Sequence, residues 1–272
     1  MLQQKKEICQ ENYKREIMNR KEVKPKKFFG QHFLKNEAIA NHISVSIQSD
    51  VDYVIEVGPG TGVLTKFLTQ QYKEKFAVAE IDRDSVSYLE VHYPELEIIK
   101  GDFLKLDLTA FGNQIAVIGN FPYNISTEIL FKCLENKDVV VEMVGMFQKE
   151  VAERVVSPSG SRVYGIVSVL LQTFYDAEYL FTVEADEFIP APKVRSAVIR
   201  LKRNSVKSLP CDEKLFKTIV KLAFNQRRKM IANAIKSFVD TSTLPYMTKR
   251  AEQLSVEQFI ELTLAIEKIK SN

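Results

Sequence analysis

The chain has 272 residues, 45% of them apolar, with ten Gly and nine Pro, which supports one large domain and a smaller one and excludes a low-complexity chain. No apolar run approaches the ~18 residues that span a bilayer and no apolar leader opens the chain, while three Cys (Cys9, Cys133, Cys211) and three His (His32, His42, His92) lie too scattered for a disulfide framework or a zinc site, so a soluble, cytoplasmic, metal-free protein is expected. The net charge of +3 hides an asymmetry: residues 1–27 carry nine Lys/Arg against four Glu and residues 204–272 twelve against seven acids, leaving the body acidic, a pattern that suits a polyanion held by the flanks or, equally, two solvated charged ends.

Residues 1–25 read as a basic N-terminal extension. From 36 to 48, Ile39, Ile43 and Ile47 recur every four residues, one face of a helix. Short apolar runs then alternate with helical patterns. Strands are expected at 53–57, 76–80, 96–99 and 115–118 and within 139–147, with helices at 63–72, 85–92 and 127–134. Such alternation makes a mostly parallel sheet covered on both faces. Segments 173–184 and 194–201 are β-rich and flank Pro190-Ala191-Pro192, which predicts an antiparallel pair at the sheet edge. After the polar break Lys202-Arg203-Asn204-Ser205, helices are expected at 212–224, 228–238 and 255–268. The layout is an α/β, Rossmann-like domain over 26–203 and a small basic helical domain over 204–272.

Glu56-Val57-Gly58-Pro59-Gly60-Thr61-Gly62 follows a strand and precedes a helix. Gly58, Gly60 and Gly62 let the backbone turn tightly and approach a ligand, and in a doubly wound sheet ligands lie at the carboxyl ends of the strands. The GxGxG spacing departs from the GxGxxG of dinucleotide sites. That favours an adenosyl ligand without a pyrophosphate, although the loop alone leaves a dinucleotide or a plain turn open. Glu80 ends the next strand, 18 residues beyond Gly62, where an acid can accept from both ribose hydroxyls. Asp84 reads as an N-cap or first-turn acid. In Gly101-Asp102-Phe103, Asp102 can accept from a cofactor adenine amine with the Phe103 backbone beside the ring, or cap a turn. The three strand ends together point to S-adenosylmethionine.

The fourth strand runs into Gly119-Asn120-Phe121-Pro122-Tyr123-Asn124. The exocyclic amine of adenine is a poor nucleophile because its lone pair is delocalised into the ring. The Asn120 side-chain oxygen and a backbone carbonyl at Phe121 or Pro122 can each accept one N–H, aiming the lone pair at a sulfonium methyl. Pro122 removes a competing donor, and Tyr123 can stack on the base. An in-line displacement then follows from positioning and needs no general base. A lone tetrad of this kind is also an ordinary Asn-Pro turn. Phe188, beside the Pro-rich loop, can clamp the other face of an extruded base or pack in the core.

These motifs occur in a fixed order that resembles one family. Lys27 to Leu34, Glu56 to Gly62, Asn120 to Thr127, Met146 to Arg154, Phe188 to Ser196 and Ala223 to Lys229 are similar to the small-subunit (16S) ribosomal RNA adenine N6,N6-dimethyltransferases, from about residue 26 to the C-terminus. The resemblance implies methyl transfer to the N6 amines of two adjacent adenines in a hairpin loop near the 3′ end of 16S rRNA, during small-subunit maturation. It implies 16S rRNA and the immature small subunit as partners, and a monomer is expected. It also implies that His32 and Leu34 touch the cofactor together with Gly58, Glu80, Asp102 and Asn120. The family usually has Asn at the position of His32 and Leu at that of Phe121.

Arg227-Arg228-Lys229 is expected to open a helix and to bind phosphates in a salt-sensitive way. Lys26, Lys27, Lys149, Arg154 and Lys193 are further candidates for RNA contact, each also readable as solvated charge. Rival readings are a large-subunit rRNA adenine methylase of the antibiotic-resistance type, a non-catalytic ribosome-assembly RNA-binding factor, and a DNA adenine methylase, for which no target-recognition domain is evident. Residues 30–34 and 223–229 favour the small-subunit type, and the complete Gly loop, Glu80 and Asn120 favour cofactor binding.

Overall fold

The computed structural model describes residues 23–270, so most of the expected N-terminal extension, and the side chain of Lys27, lie outside the described residues. Among the described residues no helix is long and apolar enough to cross a membrane.

Strand β1 (Phe33–Leu34) is followed by α1 (Glu37–Ser44). Asn36 starts α1 because its side-chain oxygen accepts from the amides of Ala38 and Ile39 at 3.0 and 3.2 Å, two of the donors that a helix start leaves open. The four-residue repeat marks its buried face at Ala40 and Ile43. Next come β2 (Tyr53–Val57), α2 (Thr65–Tyr72), β3 (Phe76–Glu80), α3 (Arg83–His92), β4 (Glu97–Lys100), β5 (Ile115–Asn120), α4 (Ser126–Glu135) and β6 (Val140–Gln148). The strands β2, β3, β4, β5 and β6 pair in parallel. All of β3, and β5 from Ile115 to Gly119, are buried, as expected of parallel strands covered on both faces.

The chain continues through α5 (Lys149–Val156), α6 (Ile166–Gln172), β7 (Tyr175–Val183), β8 (Phe188–Ile189) and β9 (Ser196–Arg203). The sheet order is β4-β3-β2-β5-β6-β9-β7, with β9 and β7 as the antiparallel edge pair. Chain order reverses between β2 and β5, so the loops that leave those strands diverge and open a crevice at their carboxyl ends. A separate two-stranded sheet pairs β1 with β8, Leu34 opposite Phe188. The sequence pattern did not anticipate it.

The last helices are α7 (Glu213–Asn225), α8 (Ile231–Ile235) and α9 (Val256–Lys270). The helix expected at 228–238 is confined to α8. The amides of Ile231 and Ala232 donate to the carbonyls of Lys249 and Met247 (2.8 and 3.2 Å). A second chain segment therefore satisfies that helix start, and Arg227-Arg228-Lys229 form a turn before it rather than its first turn.

Two compact units divide the chain: residues up to 148 with 181–200, and 149–180 with 201–270. The sequence reading begins its helical domain at 204; the second compact unit re-enters at 201. The second unit also takes α5 and α6, which the sequence reading did not assign to it. Its core includes Phe216, Ile219, Val220, Phe259, Leu262 and Ile266.

Candidate active site at the carboxyl ends of the strands

The site lies within the first unit. Adjacent strands β2 and β5 deliver the Gly loop and the Asn120 turn side by side, so a Cβ added to Gly58 would lie 3.5 Å from Pro122 Cδ. A cavity of about 190 Å³ opens there, lined by residues 29–33, 57, 58, 60, 79–81, 101–104 and 120–125. Its lining includes the apolar side chains of Val57, Ala79, Phe103 and the half-exposed Ile81.

On the loop side, Gly60 has φ +57°, and a Cβ there would lie 2.9 Å from the Phe33 ring. A side chain is excluded by conformation and by space alike. Glu80 is buried, and its two oxygens accept from Gly60 N (3.2 Å) and Asp82 N (2.8 Å). Burial pushes its carboxyl above the ordinary value, against the pull of those amides. Glu56, one strand over, is buried with Thr65 Oγ1 donating to it at 2.7 Å. Burial pushes it up to about 8. Asp102 accepts from Leu104 N at 3.0 Å, capping a short 3-10 turn with one oxygen. Asp84 is a first-turn acid of α3, whereas the cap itself is Asp82.

On the other side, Asn120 Nδ2 donates to the His32 carbonyl at 2.8 Å. That bond fixes the amide, so its oxygen Oδ1 is the end that holds no partner among the described residues. The Pro122 carbonyl accepts from Ile125 N (3.2 Å). No donor to the Phe121 carbonyl is found among the described residues, and the Pro122 carbonyl, with one bond made, keeps a second lone pair, so both acceptors that the sequence offered remain available. The Phe121 ring is buried over Gly145, which pairs with Gly119 across β5 and β6. A Cβ on Gly145 would come within 2.1 Å of that ring. Tyr123 bonds Ser196 Oγ through its hydroxyl (2.5 Å) and stacks on His32, ring centroids 5.3 Å apart. Burial raises its pKa. His32 Nδ1 lies 2.7 Å from the Pro190 carbonyl, so it is the protonated nitrogen.

Several expected site residues sit elsewhere. Phe188 is 2% exposed and does not line the cavity; its pairing with Leu34 turns a clamp candidate into core. Leu34 is itself buried and borders a small adjoining cavity together with Glu56, Gly58 and Asn120. Lys26 does not stand free for RNA. Its ammonium pairs with Asp82 (2.5 Å) and Asp84 (2.7 Å), because a carboxylate as buried as Asp82 needs a counter-charge. Arg227 donates to the Arg162 carbonyl and faces Glu252 at 3.8 Å within the second unit. Lys149 pairs with Glu153 one turn along α5. Arg154, Lys193, Arg228 and Lys229 are exposed. The sequence reading gave no individual role to Phe29, Gln31, Phe33 or Ile81, which line the cavity. The signal for the first three was their place in the 27–34 motif.

A parallel sheet with a Gly loop, a buried acid ending the next strand and an Asn-x-Pro-Tyr turn defines a Rossmann-like methyltransferase. The chain belongs to the ribosomal RNA adenine dimethylase family, which it matches over residues 22–270. It is 52% identical over 249 residues to a ribosomal RNA small subunit methyltransferase A of Cytophaga hutchinsonii, covering 89% of this chain and 96% of that one. It is 52% identical over 253 residues to the protein of the same name from Flavobacterium johnsoniae, covering 90% and 97%. Among solved structures, a dimethyladenosine transferase from Plasmodium falciparum has a TM-score of 0.73 at 24% identity, covering 87% of this chain and 98% of that one. The 23S rRNA methyltransferase ErmE has 0.65 at 22%, covering 86% and 99%. These two likenesses speak for the fold.

Proposed function

We propose that the protein transfers methyl groups from S-adenosylmethionine to the N6 amines of two adjacent adenines near the 3′ end of 16S rRNA, on the immature small subunit. The observation that carries this reading is the orientation of Asn120: one N–H is spent on the His32 carbonyl, and its oxygen meets no donor among the described residues. Adenine N6 offers two N–H groups, and Asn120 Oδ1 and the Phe121 carbonyl are two open acceptors on one turn. Family membership and the small-subunit relatives support the choice of RNA.

The residues present fit the cofactor. Gly58 and Gly60 leave backbone room, Glu80 keeps lone pairs beyond the two amides it holds, and Asp102 keeps one oxygen unused for an adenine amine. When bound, S-adenosylmethionine supplies an electrophilic methyl on a sulfonium. Asn120 and Phe121 hold the acceptor nitrogen and turn its lone pair out of the ring plane's conjugation. Tyr123, tethered to Ser196 and backed by His32, offers its remaining face to the base. Their shared task is positioning, which converts a bimolecular encounter into an oriented one. Exposed Arg154, Arg228, Lys229 and Lys193 are the candidates for phosphate contact that the fold leaves available.

The test is radiolabelled methyl transfer to immature small subunits, followed by mass spectrometry of the RNA. Dimethyladenosine at two adjacent positions is expected. Binding to the particle without methyl transfer would instead make the protein an assembly factor, and label in large-subunit RNA would move the substrate.

A further inference from the structure

Phe28 is 85% exposed, the most exposed large apolar side chain among the described residues. A single exposed apolar residue ordinarily needs no explanation. This one stands on a turn fastened on both sides at the mouth of the active site. The Phe29 amide donates to the Lys26 carbonyl (3.1 Å), the Lys26 amide to Gln31 Oε1 (2.8 Å), and the Lys26 ammonium is held by Asp82 and Asp84. Phe29, edge-on to Phe28 with centroids 5.2 Å apart, lines the cavity, as do Gln31 and His32. The fold thus holds a bare aromatic ring in water beside the place where a base must enter.

The other rings nearby have occupations of their own. Phe29 is edge-on to Phe28, the Phe33 ring lies against Gly60, Phe103, Phe121 and Phe188 are buried, and one face of Tyr123 is covered by His32. Two adjacent adenines cannot both occupy one turn. When one is drawn to Asn120, its neighbour loses a stacking partner and lies at the mouth of the cavity. An aromatic ring there replaces the lost stack, worth roughly 5- to 150-fold in affinity per base.

We propose that Phe28 is the stacking platform for the unpaired purine next to the adenine held at Asn120, a positioning residue that helps to select adjacent pairs. This rests on the reading of the substrate given above. The test compares Phe28→Ala, Phe28→Leu, Phe28→Tyr and Phe28→Trp in the full chain, with immature small subunits as substrate and each adenine quantified separately. Phe28→Ala and Phe28→Leu are expected to raise KM for the particle by about ten-fold with kcat little changed. Tyr and Trp are expected to restore it, and cofactor affinity and melting temperature of the RNA-free protein to stay at the parent values. An unchanged KM in Phe28→Ala overturns the proposal. So does full rescue by Leu, which would mean an apolar protein contact. A fall in RNA-free stability or cofactor affinity also overturns it, since the ring would then be covered by its own chain. If the parent protein makes no dimethyladenosine at all, the substrate reading fails and this inference falls with it; if methylation is intact and only the Phe28 variants are silent, this inference alone fails.

Discussion

At the loop end of the cavity the acidic groups are already bonded to the protein, whereas at the Asn120 turn two oxygens have no donor among the described residues. Glu80 holds the amides of Gly60 and Asp82, and Asp102 holds that of Leu104. Asn120 instead gives one N–H to the His32 carbonyl, and its oxygen has no donor among the described residues. A carboxylate has about four acceptor directions, so Glu80 can shape its own loop and still receive a ligand. An amide has one oxygen, and it serves an incoming amine only if something else fixes the nitrogen end. The loop end is therefore built to be rigid before it binds. The Asn120 turn keeps acceptors without a donor among the described residues, which is what the proposed binding of a base requires.

The largest effect is expected where nothing else can substitute. Asn120→Ala should lower kcat by about 10²- to 10³-fold, the usual cost of one preorganised polar group, while cofactor affinity measured by calorimetry falls far less. Full turnover in that variant would break the contrast, because the open oxygen would then have no function.

Next comes the floor beneath the turn. Gly145→Ala should push the Phe121 ring and destabilise the protein by about 1–3 kcal/mol, a typical overpacking cost, read by urea unfolding. Adding Phe121→Leu should return part of that loss, since the two positions touch and their effects are not additive. An additive double variant would mean that the slot is not shared.

Two acids sharpen the loop end. Glu80→Gln keeps shape and one acceptor but removes the charge, and cofactor affinity should drop on the order of ten-fold, as for hydrogen bonds to charged groups. Glu56 is raised to about 8 in the folded protein. Below its ordinary value near 4.5 both states hold the proton, so it contributes no slope. Between there and about 8 the folded state keeps a proton that the unfolded state has lost, so stability falls with each step up in pH. Glu56→Gln should flatten that part of the decline, seen in melting temperatures from pH 5 to 8. A parallel curve would sink the assignment.

How much of this was legible in sequence follows from how local each cause is. The ends of β2 and β3 match the reading because an apolar run stops at a glycine or an acid, and Glu80 and Asn120 could be singled out as candidates because they sit at such ends. The pairing of Phe33–Leu34 with Phe188–Ile189 joins two-residue strands some 150 positions apart, too short to carry any period. Phe188 was misplaced for that reason. Lys26 read as a free cation because its partners, Asp82 and Asp84, lie 56 and 58 positions on. Arg227 was drawn away likewise by the Arg162 carbonyl and Glu252. Charge is visible in a sequence, but whether it is already neutralised depends on the fold.

The smallest predicted effect asks whether the two ends of the cavity are independent. Tyr93 follows α3 and reaches back to the Gly loop, its hydroxyl donating to the Gly62 carbonyl at 3.2 Å. Its ring lies so near that a Cβ on Gly62 would be 2.8 Å from it. The same carbonyl also accepts from Lys66 N at 3.1 Å, so Tyr93→Phe removes one of two bonds and keeps the ring contact. A neutral hydrogen bond contributes about 0.5–1.5 kcal/mol, which sets the expected loss of cofactor affinity at roughly two- to ten-fold. Because Tyr93 touches the loop and not the Asn120 turn, kcat at saturating cofactor should stay at the parent value. A fall in kcat with affinity unchanged would mean that strain in the loop is passed through the Gly58–Pro122 contact to the turn, and the cavity would then have to be treated as one bonded unit rather than a rigid end and an open one.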